Sequence, residues 1–293
     1  MIVESTTELQ GRETKPYSIQ KMIVAHDGST AAEKALNDAV SLARRFNAEV
    51  ILVHVQVTKD NIVDDGYSSL RHERNETQSD VIELTNRLLS GGIRSRGIVR
   101  TGNTGDTLFN LCCEENADLL LMGAYGHGTQ DRQTLGSTAE QLLRAVPCPV
   151  LTYGPNASSS VVSAQHLGPV LMPISLPCAL SSLAEAAKLA KIFGGSLELF
   201  HAVDDRSQPP IRWLETECQV LASFLRKNGV RTRWSFMYGR ADQTICSKIR
   251  EIDSPFIIMP LRWRKGLSAL TADNVAAHVI RQASIPVLSY RCD

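Results

Sequence analysis

The sequence predicts an α/β protein made of two tandem, doubly wound domains, each with a five-stranded parallel sheet. Three observations predict it: a length of 293 residues, a self-similarity that runs through both halves, and short apolar strands alternating with amphipathic helices in each half. A chain about twice the length of a typical domain of roughly 100–200 residues has room for two cores. Apolar residues make up 43% and charged residues 21%, with no apolar run near the ~20 residues of a membrane span, so a soluble chain with no membrane partner is expected.

Residues 23–55 align with 170–202 at an offset of 147, so that Phe46 meets Phe193 and His54 meets His201. From Val81 onward the offset is 137, and Gly92, Gly102, Met122, Arg144 and Pro149-Val150-Leu151 meet Gly229, Gly239, Met259, Arg281 and Pro286-Val287-Leu288. The second copy is therefore ten residues shorter, all lost between about 57 and 80. A period this long means a duplicated domain rather than a solenoid. The expected domains are residues 18–154 and 167–291, with Gly154–Gly168 and its serine run as linker.

The elements of the first copy follow in order. Lys21–His26 is a short apolar strand, and Ala35, Leu36, Ala39, Leu42, Ala43 and Phe46 recur at helical spacing behind Ser29 and Thr30 as caps. Glu49–Val55 is the second strand, and a charged helix follows over about 78–90. Arg96–Thr101 is the third strand, and a helix opens near Thr104. Asp118–Met122 (DLLLM) has the unbroken apolar character of a strand buried on both faces. Gly136-Ser137-Thr138 opens a helix that ends at Pro147-Cys148-Pro149, and Val150–Tyr153 is the last strand. This βαβαβαβαβ order argues a doubly wound sheet.

Positive and negative charges balance at 31 each, so no long-range attraction to nucleic acid or acidic lipid is expected, and an anionic ligand has to be held locally. The polar N-terminus lacks a secretory h-region. Seven scattered cysteines show no CxxC pair and no metal spacing, which fits a reducing, cytoplasmic setting and no metal site. Cys112 and Cys113 read as small buried or half-buried side chains of a helix.

Ligands of open α/β sheets sit outside the carboxyl ends of the strands. Two loops qualify: His26-Asp27-Gly28-Ser29, and Gly123-Ala124-Tyr125-Gly126-His127-Gly128 running on to Gly136-Ser137-Thr138. The glycines let a ligand approach the backbone, and a helix N-terminus with two hydroxyls favours an anion, so the second loop is a prospective phosphate cradle. It contains neither GxxxxGK[ST] nor GxGxxG. In the second copy Gly123, Gly126, Gly136 and Ser137 correspond to Pro260, Trp263, Asp273 and Asn274, which remove a donor, fill space or repel phosphate. At the offset of 147 Asp27 faces Ile174, whereas His54 keeps a counterpart in His201, which ties the histidine to the shared fold. Arg262, Arg264 and Lys265 leave the second loop basic, as solvated surface charge.

The spacing of Gly123, Gly126 and Gly136-Ser137 resembles the G-x2-G-x9-G-[ST] motif of the universal stress protein family, as do Val-Ala-His-Asp-Gly-Ser after the first strand and Pro-Val-Leu at the fifth. The resemblance covers residues 18–153 and 167–291. It implies ATP as ligand, with or without Mg, and a regulatory stress-response role. It also implies ligand contacts from Asp27, the backbone of Val55, Gly123, Gly126, Gly136 and Ser137. His127, Gly128 and Thr138, with Arg132, join the site by position. The resemblance further implies an intramolecular pseudo-dimer through Pro149–Tyr153 and Pro286–Tyr290, with further homodimerisation and any protein partner left open. No catalytic residue is assigned: phosphoryl transfer needs a metal clamp, a positioned base and a cationic stabiliser, and the loop carries no lysine. A slow ATPase or phosphotransferase, and a nucleotide-free scaffold, are the rival readings.

Overall fold

The computed structural model describes residues 18–57, 67–126, 135–158, 169–193, 195–204, 209–252, 254–261 and 275–292, with backbone alone for 67–77. The first half runs β1 (Lys21–Ala25), α1 (Thr30–Phe46), β2 (Glu49–Gln56), α2 (Tyr67–Ser90), β3 (Ser95–Thr101), α3 (Thr104–Glu114), β4 (Leu119–Gly123), α4 (Ser137–Ala145) and β5 (Val150–Tyr153). The second half repeats it as β6 (Val170–Ile174), α5 (Leu180–Phe193), β7 (Leu197–Val203), α6 (Ile211–Lys227), β8 (Thr232–Tyr238), α7 (Ala241–Ile252), β9 (Ile257–Leu261), α8 (Val275–Gln282) and β10 (Val287–Arg291).

The ten strands form one sheet in the order β3-β2-β1-β4-β5-β10-β9-β6-β7-β8. Pairing is parallel within each half and antiparallel where the halves meet, with Thr152 opposite Val287 and Val150 opposite Ser289. Thr152 Oγ1 donates to the Val287 carbonyl at 3.1 Å across that seam. Helices α1, α2, α5 and α6 pack on one face, and α3, α4, α7 and α8 on the other. Strands covered on both faces have to be apolar throughout, and Met22, Ile23, Val24, Leu120 and Leu121 are fully or almost fully buried.

Each element ends for a local reason. Ser29 Oγ accepts from the Ala32 N–H at 3.2 Å and caps α1, whose C-terminus closes on Asn47 in the left-handed region at φ 52°. Asn103 caps α3 in the same way through the Asp106 N–H. Helix α2 begins eleven residues before the expected 78, because its polar opening YSSLRHERNET carries no apolar repeat to announce a helix. The linker expected at Gly154–Gly168 starts as packed chain. Ala157 is fully buried, Lys34 Nζ donates to its carbonyl at 2.6 Å, and the Ser158 N–H donates to the Ser284 carbonyl at 2.9 Å. The remaining linker residues, 159–168, lie outside the described residues.

Strand register corrects one correspondence between the copies. Met22 lies opposite Val50, whereas Val170 lies opposite Leu197, so β6 matches β1 at an offset one residue greater than the sequence match gives. The core agrees: Met22 and Val24 share one face of the sheet with Val170 and Met172, while Ile23 and Leu171 face the other. Asp27 therefore corresponds to Ser175, and Ile174 corresponds to His26. An all-apolar strand has no alternation to fix its register, and a residue lost in the following loop escaped the gapless match.

Candidate functional site

The carboxyl ends of β1, β2 and β4 and the N-termini of α3 and α4 enclose a cleft of about 480 Å³. Asp27, Val55, Gly123, Gly126, Gly136, Ser137 and Thr138 all line it, so seven of the nine residues expected at the site meet in one place. His127 and Gly128 lie outside the described residues, as does Arg132. Sequence reasoning missed Val53, Thr104, Leu108 and Met122, which line it as well. Thr104 follows a strand and opens a helix, so the rule that selected the other two loops also pointed to it.

The three described glycines differ in what they do. A Cβ on Gly136 would lie 2.8 Å from the Ala124 carbonyl oxygen, and one on Gly123 would lie 3.1 Å from Ala31 Cβ and 3.2 Å from the Tyr125 carbonyl oxygen. Both are needed for the backbone to close up. A Cβ on Gly126 would meet only Asp27 Oδ2 at 3.7 Å, so this position borders open space. The Gly136 N–H is already donated to the Ala124 carbonyl at 3.1 Å. The Gly136 amide is therefore not free to serve a ligand at this corner. Helix α4 begins at Ser137 with no side-chain cap, and its first amides point out of the helix start with the positive end of the dipole.

Asp27 sits at the rim in an Asx turn, its Oδ1 accepting from the Ser29 N–H at 3.0 Å. The capping of α1 belongs to Ser29, so Asp27 is not needed as a cap. His54 Nδ1 donates to the His26 carbonyl at 2.8 Å, and His201 Nδ1 to the Ile174 carbonyl at 3.0 Å in the second half. The histidine ties the ends of neighbouring strands together in both copies. His26 is buried and its Nε2 lies 3.0 Å from Glu33 Oε1. Among the described residues no group of acidic, histidine and cysteine side chains is arranged to hold a metal ion.

The second half has a cleft at the equivalent place, about 260 Å³ in volume. Its walls come from corresponding positions with different side chains, the carboxylate among them replaced by a hydroxyl: Ser175 stands for Asp27, Phe200 for Val53, Ala202 for Val55, Ala241 for Thr104, Pro260 for Gly123 and Val275 for Thr138. Trp263, Asp273 and Asn274, expected to complete the loss of the cradle, lie outside the described residues together with Arg262, Arg264 and Lys265.

The family model described as the universal stress protein family matches residues 18–153 and again residues 167–291. The chain belongs to that family. A universal stress protein of Thermus aquaticus is 25% identical over 130 residues, which is 44% of this chain and 95% of that protein. The universal stress protein YxiE of Bacillus subtilis is 28% identical over 142 residues, 45% of this chain and 96% of its own. Each of these relatives thus corresponds to one half of this tandem universal stress protein. A universal stress protein from Archaeoglobus fulgidus has the same fold across both halves, with a TM-score of 0.72 over 94% of this chain and 97% of its own at 19% identity. Among the described residues no helix is long and apolar enough to cross a membrane.

Proposed function

We propose that the chain is a regulatory protein that holds one ATP in its N-terminal cleft and none in its C-terminal one. The observation that carries this reading is the contrast between the two clefts: the same strand ends and helix starts build both, yet among the described residues the first is lined by a carboxylate and an open glycine that the second lacks, and its helix α4 starts with no side-chain cap. The apolar end at Val53, Val55, Leu108 and Met122 suits a purine ring. The amides at the start of α4, with the hydroxyls of Ser137 and Thr138, suit the phosphates. Asp27 supplies the only carboxylate of the described lining, which suits a ribose hydroxyl or a magnesium ion carried in on the phosphates.

On this reading the second half serves as a lasting structural partner, and the β5–β10 seam is an intramolecular pseudo-dimer contact. The bound nucleotide acts as a signal. Denaturing freshly purified protein and identifying the released small molecule tests the reading. Adenine nucleotide at about one equivalent per chain is expected, and protein that neither releases nor takes up ATP overturns it.

A further inference from the structure

The C-terminal turns of α1, α2, α5 and α6, the helices of one face, meet one another. Arg94 Nη2, in the turn after α2, donates to the Asn47 carbonyl at the end of α1. Arg45 Nη2 donates to the Ile192 carbonyl of α5 at 3.3 Å, and its guanidinium lies over Phe46, which packs edge-on against Phe193. Lys191 reaches the turn after α6, where a Cβ on Gly229 would lie 3.6 Å from its Cε. The four helix ends therefore form one continuous surface shared by both halves. That surface is basic. The last turns carry Arg44, Arg45, Arg87, Lys191, Arg226 and Lys227, all exposed, and exposed Arg94 and Arg231 follow at matching positions of the two halves. No aspartate or glutamate occurs within residues 40–48, 86–95, 188–196 or 222–233. Among the described residues none of these cations is in an ion pair. Cations at helix ends are ordinary, since each C-terminus carries about half a negative charge. Four such ends amount to roughly two negative charges against the eight positive side chains, so roughly six positive charges remain uncompensated.

We propose that this surface binds an extended acidic segment of a partner protein, laid across both halves. Six of the eight cations are arginines, whose planar fork fits a carboxylate. A polypeptide also suits what lies between them. The last-turn carbonyls of a helix have no intrahelical partner, and a peptide backbone brings N–H donors for them, whereas a phosphodiester backbone brings only acceptors. Leu89, 51% exposed in the same turn as Arg87, adds an apolar contact. Four neighbouring helices about 10 Å apart span about 30 Å, the reach of about nine extended residues. The net charge of the whole chain is zero, so the attraction is confined to this surface and fits a short segment rather than a long polyanion. Arg44 and Arg94 of the first half stand where Lys191 and Arg231 stand in the second, so the segment recognises the joined pair rather than either half. The proposal is independent of ATP in the N-terminal cleft.

The test follows the fluorescence anisotropy of a labelled decaglutamate peptide titrated with the full chain. Saturation at one peptide per chain is expected, with an affinity that falls as salt rises. Arg45→Glu and Lys191→Glu, one in each half, should each weaken binding by about 3- to 10-fold. Lys191 makes no hydrogen bond among the described residues, so its reversal tests the charge alone even if Arg45→Glu loosens the contact with Ile192. Arg250→Glu, an exposed reversal on α7 at the other face of the sheet, should leave binding unchanged. Circular dichroism checks that each variant is folded. Absence of saturable binding, full affinity in Lys191→Glu, an equal loss in Arg250→Glu, or tighter binding of a short DNA duplex or of phosphatidylserine vesicles would each overturn the proposal.

Discussion

His54 clamps the end of the first strand by donating Nδ1–H to the carbonyl of His26, 2.8 Å away, and the second half repeats the arrangement between His201 and Ile174. The bond keeps its place although the residue whose carbonyl accepts it is His26 in one half and Ile174 in the other. His54→Ala and His201→Ala are therefore each expected to lower stability by about 0.5–1.5 kcal/mol in chemical denaturation. Only the first should also weaken ATP binding, and equal effects of both on ATP affinity would count against a purely N-terminal site.

Gly126 and Gly136 should respond to substitution in opposite ways. Gly126→Val points a branched side chain into open cleft, so ATP binding should be lost with the thermal transition nearly unchanged. Gly136→Ala drives a methyl group to within 2.8 Å of the Ala124 carbonyl oxygen, so the protein should be destabilised as well. Calorimetry of the two variants with and without ATP separates ligand space from backbone packing.

Asp27 and Ser29 divide the work at the start of α1. Ser29→Ala removes the cap and should cost about 0.5–2 kcal/mol with modest effect on affinity. Asp27→Ala leaves the cap in place and should weaken ATP binding with a smaller loss of stability. The reverse pattern would assign Asp27 to the turn alone.

ATP should bind at one equivalent per chain, and steady-state phosphate release should be slow or absent. The described lining of the cleft offers a single carboxylate and no lysine or arginine, short of the metal clamp and cationic stabiliser that phosphoryl transfer requires. Isothermal titration of nucleotide-free protein and a multiple-turnover assay check both statements, and two binding events or sustained turnover would contradict them.

Thiol reactivity should follow position. Cys113 is exposed and Cys178 half-buried, while the other five cysteines are buried. Burial pushes the Cys218 thiol up to about 11, and contact with Cys148 together with burial holds the Cys112 thiol far above its ordinary value. An aromatic disulfide reagent at pH 8 should modify Cys113 first and Cys178 next, with the remainder reacting only after unfolding. Rapid native labelling of Cys112 would contradict the packing described.

The strands and most helices were legible because the duplication let each half check the other, and because Leu119–Met122 can only be buried on both faces. Neighbours on a helix point about 100° apart, so Cys112 and Cys113, read together as buried or half-buried, end up one inside and one outside. The site was legible where glycine spacing and strand ends coincide. Leu108 was missed because it reaches the cleft from a helix that follows the edge strand, a proximity that only the sheet order reveals, whereas Thr104, at the start of that helix, was overlooked although the rule for strand ends pointed to it. Asp27 was set against the wrong partner because five apolar residues in a row give no register.

The antiparallel seam has a consequence for dilution. Two separate chains joined through such strands come apart as concentration falls, whereas here the partner strand is tethered on the same polypeptide and its local concentration stays constant. That constancy loosens selection on one copy. As long as β10 still offers Val287, Leu288 and Ser289 to β5, the two halves stay joined whatever the C-terminal cleft contains.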